Sequence, residues 1–307
     1  MGSQASINSH LQGTVPEHRV RSEFFAPPAE LDGCFTTFYR LELDVDGEGE
    51  VHDFLQPEWA NLRFFAGSRP TSQIGSSSIS GARFNVTGPS SLPCEFRLGT
   101  ARMWGIGLLP LGWSRLIEGE ASLFANRVLD GAIEPAFAKF DMLSEALCDE
   151  SVSVEEQQRV LGEAMAQMMR PNRDEPKILK VHAALVSGEH AAVGELADAC
   201  AMSIRTLERV CHRYFGFTPK LLMRRQRFMR SLTNFMVHHA SRWTEAMDSE
   251  YHDQAQFTRE FTEFMTMTPS AYAALDHPIL SSFMEARARI WGSAAQTLDR
   301  PNREGQG

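Results

Sequence analysis

The chain has 307 residues, of which 43% are apolar and 22% are charged, and its formal net charge is −9. This length and composition are typical of a soluble globular protein that can hold about two domains. No apolar run reaches the roughly 18 residues that cross a bilayer. The first 21 residues lack the pattern of a secretory signal and are interpreted as a flexible arm (1–21). The five cysteines are dispersed without metal-ligand spacing, which indicates buried thiols in a reducing cytoplasm.

From Phe24 to about Trp113 the sequence is typical of strands and turns. The segment Thr71–Gly81 is rich in Ser and Gly and is predicted to be a loop. Strands are predicted where aromatic and β-branched residues concentrate: residues 35–43, 62–67, 82–89 and 102–109.

The hydrophobic period then becomes helical. Helices are predicted over residues 121–129, 135–147 and 153–169. Ser153 with Glu156 forms a capping-box start for the third of them. The Pro-containing stretch 170–176 interrupts the pattern, so we expect a β-rich sensor or oligomerisation domain with C-terminal helices over residues 22–170.

Two stretches near the C-terminus repeat each other fifty positions apart, 207–219 and 257–269. Both have apolar residues at helical spacing, an Arg beside them and a Thr-Pro pair at the end. Such a repeat indicates one supersecondary unit that is used twice.

The first copy has the layout of a helix-turn-helix. A short amphipathic helix from Val193 is followed by a turn at residues 200–202. Ser203 is a suitable N-cap for a second helix, on which Leu207 and Val210 face inward. Arg and Glu on the outward face are suited to base edges in a major groove, because Arg can bridge guanine and Glu can accept from cytosine.

The second copy starts near Trp243, turns at residues 249–251, and is predicted to begin its second helix at Asp253. Between the copies, Thr218-Pro219 is predicted to start a helix that runs to about His239. About 22 residues at about 1.5 Å each span about 33 Å, close to the roughly 34 Å turn of duplex DNA.

Charge is unevenly divided between the copies. Residues 203–230 contain eight basic residues and one acidic residue, a balance of +7, whereas residues 243–263 have a balance of −5. On this basis the first copy is electrostatically suited to phosphate and the second is not.

The stretch 178–277 resembles the DNA-binding domain of AraC/XylS-family transcription regulators. Three motifs support this resemblance: Glu195-Leu196-Ala197 with residues 203–209, then residues 215–220, and above all residues 251–261 with 267–272. The resemblance implies an α+β architecture, with a β-rich N-terminal domain and helical connector, then an all-α C-terminal domain of two helix-turn-helix units joined by a long helix. We therefore assign residues 177–277 to the DNA-binding domain and 278–307 to a short helix and a disordered tail.

The resemblance also implies partners. These are double-stranded promoter DNA and RNA polymerase, with a small-molecule effector at the N-terminal domain and a homodimer left open. The sequence itself predicts no membrane association, and no cofactor or metal is expected.

The sequence departs from the family at three turn positions that usually hold Gly in a left-handed conformation. These are Ala201, Glu250 and, where the first copy has Gly216, Thr266. A non-Gly residue in that conformation costs about 1 kcal/mol, so the second unit is expected to bind DNA more weakly than the first.

Candidate site residues follow from these faces. We expect base contacts from Arg205, Glu208, Arg209, Gln254, Thr258 and Arg259. We expect phosphate contacts from Arg213, Thr218, Lys220, Arg224 and Arg225.

Two other classes of function stay open. The chain could be a ligand- or protein-binding module whose DNA-binding region has degenerated, which the acidic second copy and the missing glycines favour. It could also carry an enzyme in its N-terminal half. No nucleophile–base pair, phosphate loop or carboxylate pair is found there, so no catalytic residue is assigned and an enzyme is not expected.

Overall fold

The computed structural model describes residues 17–237, 243–291 and 294–301. Strands occupy the N-terminal half and helices the C-terminal half, so the predicted α+β architecture is confirmed. Within the described residues, no helix is long and apolar enough to span a membrane.

The N-terminal half is built from two antiparallel sheets. The larger has six strands in the order β1-β2-β9-β4-β7-β10, and the smaller has four in the order β3-β8-β5-β6. The strands are β1 (His18–Phe25), β2 (Phe35–Val45), β3 (Val51–Leu55), β4 (Ala60–Gly67), β5 (Thr71–Ile74), β6 (Ser77–Ser80), β7 (Phe84–Thr87), β8 (Cys94–Leu98), β9 (Ala101–Leu108) and β10 (Val128–Asp130).

The helices of the connector and of the C-terminal half follow. They are α1 (Pro110–Leu116), α2 (Leu143–Cys148), α3 (Val154–Met168), α4 (Glu175–Ser187), α5 (Val193–Ala199), α6 (Ile204–Val210), α7 (Pro219–Val237), α8 (Trp243–Ala246), α9 (Gln254–Met265), α10 (Pro269–Ala273) and α11 (Pro278–Trp291). The predicted cap of α3 is confirmed, because the Ser153 side chain accepts from the backbone N–H of Glu156.

The larger sheet is buried on both faces. In β4, Phe65 lies in the core between the two sheets, whereas Leu62 and Phe64 lie in a core shared with the helices. Alternate side chains of a strand point to opposite faces, and both faces are covered here. This double burial explains why residues 103–108 of β9 appear in the sequence as a continuous apolar run.

Three local predictions about the N-terminal half are wrong. Residues 71–81 form the β5–β6 hairpin, because Gly75, at φ 56°, permits a two-residue turn between the strands. The predicted helix 121–129 is replaced by a single 3-10 turn and by β10, which pairs with β7. Residues 18–21 of the predicted arm belong to β1, which is held by antiparallel pairing with β2. Sheet pairing overrides local propensity in the last two cases.

The C-terminal segment after α10 is also more ordered than predicted. Helix α11 has 14 residues and packs against β1 and β3. The buried Asp53 of β3 accepts hydrogen bonds from the backbone N–H groups of Ile279 and Leu280, both at 2.8 Å. Residues 294–301 continue as ordered chain in which Thr297 is only 1% exposed. The expected disordered tail is therefore wrong for these residues, because the N-terminal half supplies a surface for them.

Candidate DNA-binding surface

The first helix-turn-helix consists of α5, a tight turn and α6, as predicted. Ser203 caps α6 by accepting from the Thr206 N–H at 3.2 Å. Ala201 has φ 54°, so this turn position does hold a non-Gly residue in the left-handed region. The Met202 N–H donates to the Ala197 carbonyl at 2.9 Å, which closes the turn against α5.

Helix α6 presents one apolar and one charged face. Leu207 and Val210 are both 0% exposed. Arg205 and Glu208 are exposed, with no neighbouring segment over them in the described residues. The helical period places these two residues on the opposite side of α6 from its core face. A charged exposed face on the second helix of such a unit is the arrangement that enters a major groove.

Arg209, the third residue predicted to read bases from α6, has a protein partner. Its side chain is 47% exposed, and its Nη1 lies 3.4 Å from Oδ2 of Asp174. Asp174 immediately precedes α4, and its side chain is only 4% exposed. The Tyr214 hydroxyl donates to the same Oδ2 at 3.1 Å, and Lys177 Nζ lies 2.7 Å from Oδ1. The hydrogen bond from Lys177 is the main reason that the pKa of Asp174 falls to about 2.

Sequence reasoning missed Asp174, because it lies in the helix-breaking stretch 170–176 that was interpreted only as a boundary. Asp174 is buried and contacts Arg209, which lies thirty-five positions further along the chain. Local composition does not reveal such a contact. The sequence signal was limited to an acidic residue next to a Pro-containing helix start.

Helix α6 continues into a π-helical turn, Cys211–Phe215, that ends at Gly216 with φ 87°. The predicted phosphate-contacting residues Arg213, Thr218 and Lys220 are exposed near this turn and at the start of α7. Thr218 also caps α7, because its Oγ1 accepts from the Leu221 N–H at 3.3 Å.

The second helix-turn-helix consists of α8 and α9. Asp253 caps α9 by accepting from the Gln256 N–H at 2.6 Å. Thr266 after α9 has φ 59°, as the missing glycine predicted. Glu250 is not among the described residues with positive φ, so the expected strain at that turn is wrong.

The outward face of α9 carries the remaining predicted base contacts. Gln254 and Arg259 are exposed, and Thr258 is half-buried. The Thr258 hydroxyl donates to the Gln254 carbonyl at 2.9 Å, so its hydrogen is already used within the helix. The opposite face of α9 is apolar, and its Phe257, Phe261 and Phe264 are buried.

The acidic character of the second unit is largely neutralised by α7. Glu260 is 5% exposed. It accepts from Arg224 at 2.9 Å, from Arg227 at 2.6 Å and from the Tyr251 hydroxyl at 2.8 Å. Arg224 also contacts Glu263, at 3.0 Å through Nη1. Buried ion pairs of this kind are internal to the fold and present little net charge to solvent.

A second group of contacts extends this network. Arg230 of α7 pairs with Asp248 and, at 3.5 Å, with Glu250. The charge contrast in the sequence, +7 against −5, therefore overstates the difference between the two surfaces. Arg224, a predicted phosphate contact, is bound to carboxylates in this conformation.

Arg225 lies on the opposite side of α7 and corrects another prediction. It is 0% exposed. Its guanidinium carbon lies 4.0 Å from the ring centroid of Trp59, and its Nη1 donates to the Ser90 carbonyl at 3.0 Å. Burial lowers its pKa to about 9. Arg225 therefore joins α7 to the N-terminal half and is closed to a phosphate in this conformation.

Little space remains between the two sheets. The pocket there, lined by residues such as Phe65, Cys94 and Met103, has a volume of about 30 Å³, room for about one water molecule. Arg63 borders this space with its charge compensated, because its Nη2 lies 2.7 Å from Oε1 of the buried Glu58.

Comparisons with known proteins are consistent with this surface. Residues 196–274 match the family model described as a helix-turn-helix domain. No curated protein matches the sequence.

Among solved structures, ToxT from Vibrio cholerae aligns with TM-score 0.44 and 9% identity over 82% of this chain and 97% of that chain. Unsaturated fatty acid-bound ToxT from strain SCE256 aligns with TM-score 0.41 and 8% identity, over 83% and 94% of the two chains. The AraC-like transcriptional activator CuxR aligns with TM-score 0.25 and 14% identity, over 69% and 86%. Scores this low carry no functional argument.

Proposed function

We propose that the chain is a sequence-specific transcription regulator of the AraC type, which binds promoter DNA through two helix-turn-helix units. The match of residues 196–274 to a helix-turn-helix family model supports this proposal. The exposed charged face of α6 is the observation that supports this proposal most directly. It presents Arg205 and Glu208 on a helix whose other face is fully packed. A rigidly held helix of this kind is suited to direct readout in a major groove.

The first unit dominates binding in this proposal. Apart from residues in internal ion pairs, Arg205, Arg213 and Lys220 are exposed with Glu208 around α6 and the start of α7. Arg209 pairs with Asp174 but stays 47% exposed. In the second unit, Arg259 of α9 and the capping residue Asp253 are both exposed, so their charges offset each other. The first unit is therefore still expected to bind phosphate more strongly than the second, but by a smaller margin than the sequence charges predict.

The N-terminal part, residues 22–170, carries the signal in this proposal, and residues 177–277 carry the DNA contacts. Arg225 and Trp59 supply a direct contact between them, so a change in the N-terminal part can reach α7. In this proposal, promoter occupancy and contact with RNA polymerase then determine the rate of transcription. The space between the two sheets is filled, so a small-molecule effector that bound there would require the sheets to separate.

Selection of sites from random duplex DNA by the full-length protein tests the function itself. An enriched motif that spans two adjacent major grooves supports a regulator that reads DNA with both units. A motif confined to one groove supports reading by the first unit alone. Absence of enrichment, with only weak salt-sensitive binding, contradicts the proposal and favours a binding module with a degenerate DNA-binding region.

Alanine substitution then tests the dominance of the first unit. Arg209→Ala is expected to weaken binding to the selected site by about 1–3 kcal/mol, because a bidentate base contact is lost. Arg259→Ala is expected to cost less. Arg97→Ala, which removes an exposed Arg from β8 of the N-terminal half, is the matched control. Equal large losses for Arg209→Ala and Arg259→Ala in a fluorescence-anisotropy titration would contradict the dominance of the first unit.

A further inference from the structure

We propose that Asp174 is a positioning residue for Arg209, and that its buried carboxylate sets how strongly Arg209 discriminates between bases. This inference rests on the proposed function, because it concerns how the first unit reads DNA. It assigns a role to a residue that lies outside both helix-turn-helix units.

The geometry around Asp174 favours a fixed acceptor. Its side chain is 4% exposed, and each carboxylate oxygen has a donor of its own. Lys177 Nζ lies 2.7 Å from Oδ1, and the Tyr214 hydroxyl lies 3.1 Å from Oδ2. A carboxylate held from two sides cannot follow a mobile Arg, so Arg209 must come to it.

Arg209 retains free donors while it contacts this carboxylate. Its contact uses Nη1, at 3.4 Å from Oδ2, and its side chain is still 47% exposed. A guanidinium has five N–H donors in a planar fork, and a guanine contact uses two of them. Holding one edge of the fork orients the rest and reduces the number of side-chain conformations lost on binding DNA.

The same carboxylate is connected to the N-terminal part of the chain. The Asp174 N–H donates to Oδ1 of Asn172 at 2.9 Å, and Asn172 Nδ2 donates to the Ser114 carbonyl of α1 at 3.0 Å. The Arg170 N–H donates to the Arg115 carbonyl at 3.0 Å. The segment that carries Asp174 is thus attached to α1, and a displacement of α1 moves the acceptor that holds Arg209.

The test compares full-length wild type, Asp174→Asn, Arg209→Ala and the double variant on the selected site and on duplexes that substitute each base pair in turn. Asp174→Asn keeps the size of the side chain and removes its charge. Glu175→Gln is the matched control, because Glu175 lies beside Asp174 but pairs with Arg115, at 3.7 Å, and not with α6. Circular dichroism and thermal unfolding establish that each variant is folded.

We expect Asp174→Asn to lower discrimination by about fivefold, at the same base pair that Arg209→Ala affects. Affinity for an unrelated duplex should stay within about twofold. The double variant should discriminate no worse than Arg209→Ala alone, because both substitutions act on the same contact between Arg209 and DNA.

Unchanged discrimination in Asp174→Asn would overturn the inference, as would an equal loss of affinity for every duplex, which a purely structural role produces. If Asp174→Asn does not fold, Tyr214→Phe decides the matter. It removes the hydrogen bond that holds Oδ2, the oxygen that Arg209 contacts, and should cause a smaller loss at the same base pair. Wild-type protein without any sequence preference would instead contradict the proposed function, before any variant is compared.

Discussion

Residues of one type have different roles on this surface. Arg205 is exposed, Arg209 is half-exposed beside a buried carboxylate, Arg224 is bound to two glutamates and Arg225 is fully buried against Trp59. The sequence groups them as one basic region. The position of each Arg on its helix, and the residues that pack against it, determine whether it can contact DNA or stabilises the fold.

The left-handed turn residue Ala201 leads to a prediction at this scale. Its φ of 54° disfavours a Cβ, so Ala201→Gly should raise the free energy of unfolding by about 1 kcal/mol. Chemical denaturation of the full chain measures this change. Glu250→Gly is the matched control, because Glu250 lacks positive φ, and it should lower stability or leave it unchanged. A gain of equal size at both positions would show that backbone strain is not the cause.

At the scale of elements, helix α7 organises the DNA-binding region. One side of it supplies Arg224, Arg227 and Arg230 to carboxylates of the second unit, and the other side places Arg225 against the N-terminal half. The helix is 19 residues long, and residues 238 and 239 of the predicted helix lie outside the described residues. A helix fixed on two sides determines how the second unit is held.

The contact between α7 and α9 predicts unequal effects for two glutamates. Glu260→Gln should lower the free energy of unfolding by about 3 kcal/mol, because it removes a buried charge that pairs with two partly buried guanidinium groups. Glu263, with a side chain that is 51% exposed, contacts Arg224 at the surface, so Glu263→Gln should cost less than about 1 kcal/mol. Denaturation curves of the two variants measured in parallel provide the comparison. Similar costs for both would mean that the buried network contributes little.

For the whole molecule, the C-terminal segment joins the two halves. The core of the second unit contains Phe228, Phe257 and Phe261, and it is completed by Leu280 and Met284 of α11. The same helix packs on β1 and β3 of the N-terminal half. A domain that ends at residue 277 therefore lacks part of its own core, and the sequence-based boundary needs to be moved beyond α11.

A prediction follows for α11. Met284→Ala should destabilise the chain by about 2–4 kcal/mol, because Met284 is 4% exposed in the core of the second unit. Glu285→Ala, at the neighbouring exposed position, should change stability by less than about 0.5 kcal/mol. Thermal unfolding followed by tryptophan fluorescence compares the two. If Met284→Ala behaves like the control, α11 does not contribute to the core in solution.

The sequence by itself determined the features that depend on nearby residues. The helical period with Ser203 and Asp253 as caps defined the two recognition helices, and their inward faces followed from apolar spacing. The concentration of aromatic and apolar residues identified strands such as β2 and β9. The resemblance of the motifs to a known family indicated how the units are arranged. These signals are local, and they remain in the sequence whatever the chain packs against.

The tertiary structure alone decided which charged side chains are exposed to solvent and which form ion pairs with each other. The partners Arg209–Asp174 and Arg224–Glu260 are 35 and 36 positions apart in sequence, and the Arg225–Trp59 contact crosses between the two halves. The packing of α11 on β1 and β3 was likewise decided by the tertiary structure. The free energy of a charge depends on its burial and on its nearest counter-charge, and both are properties of the folded arrangement.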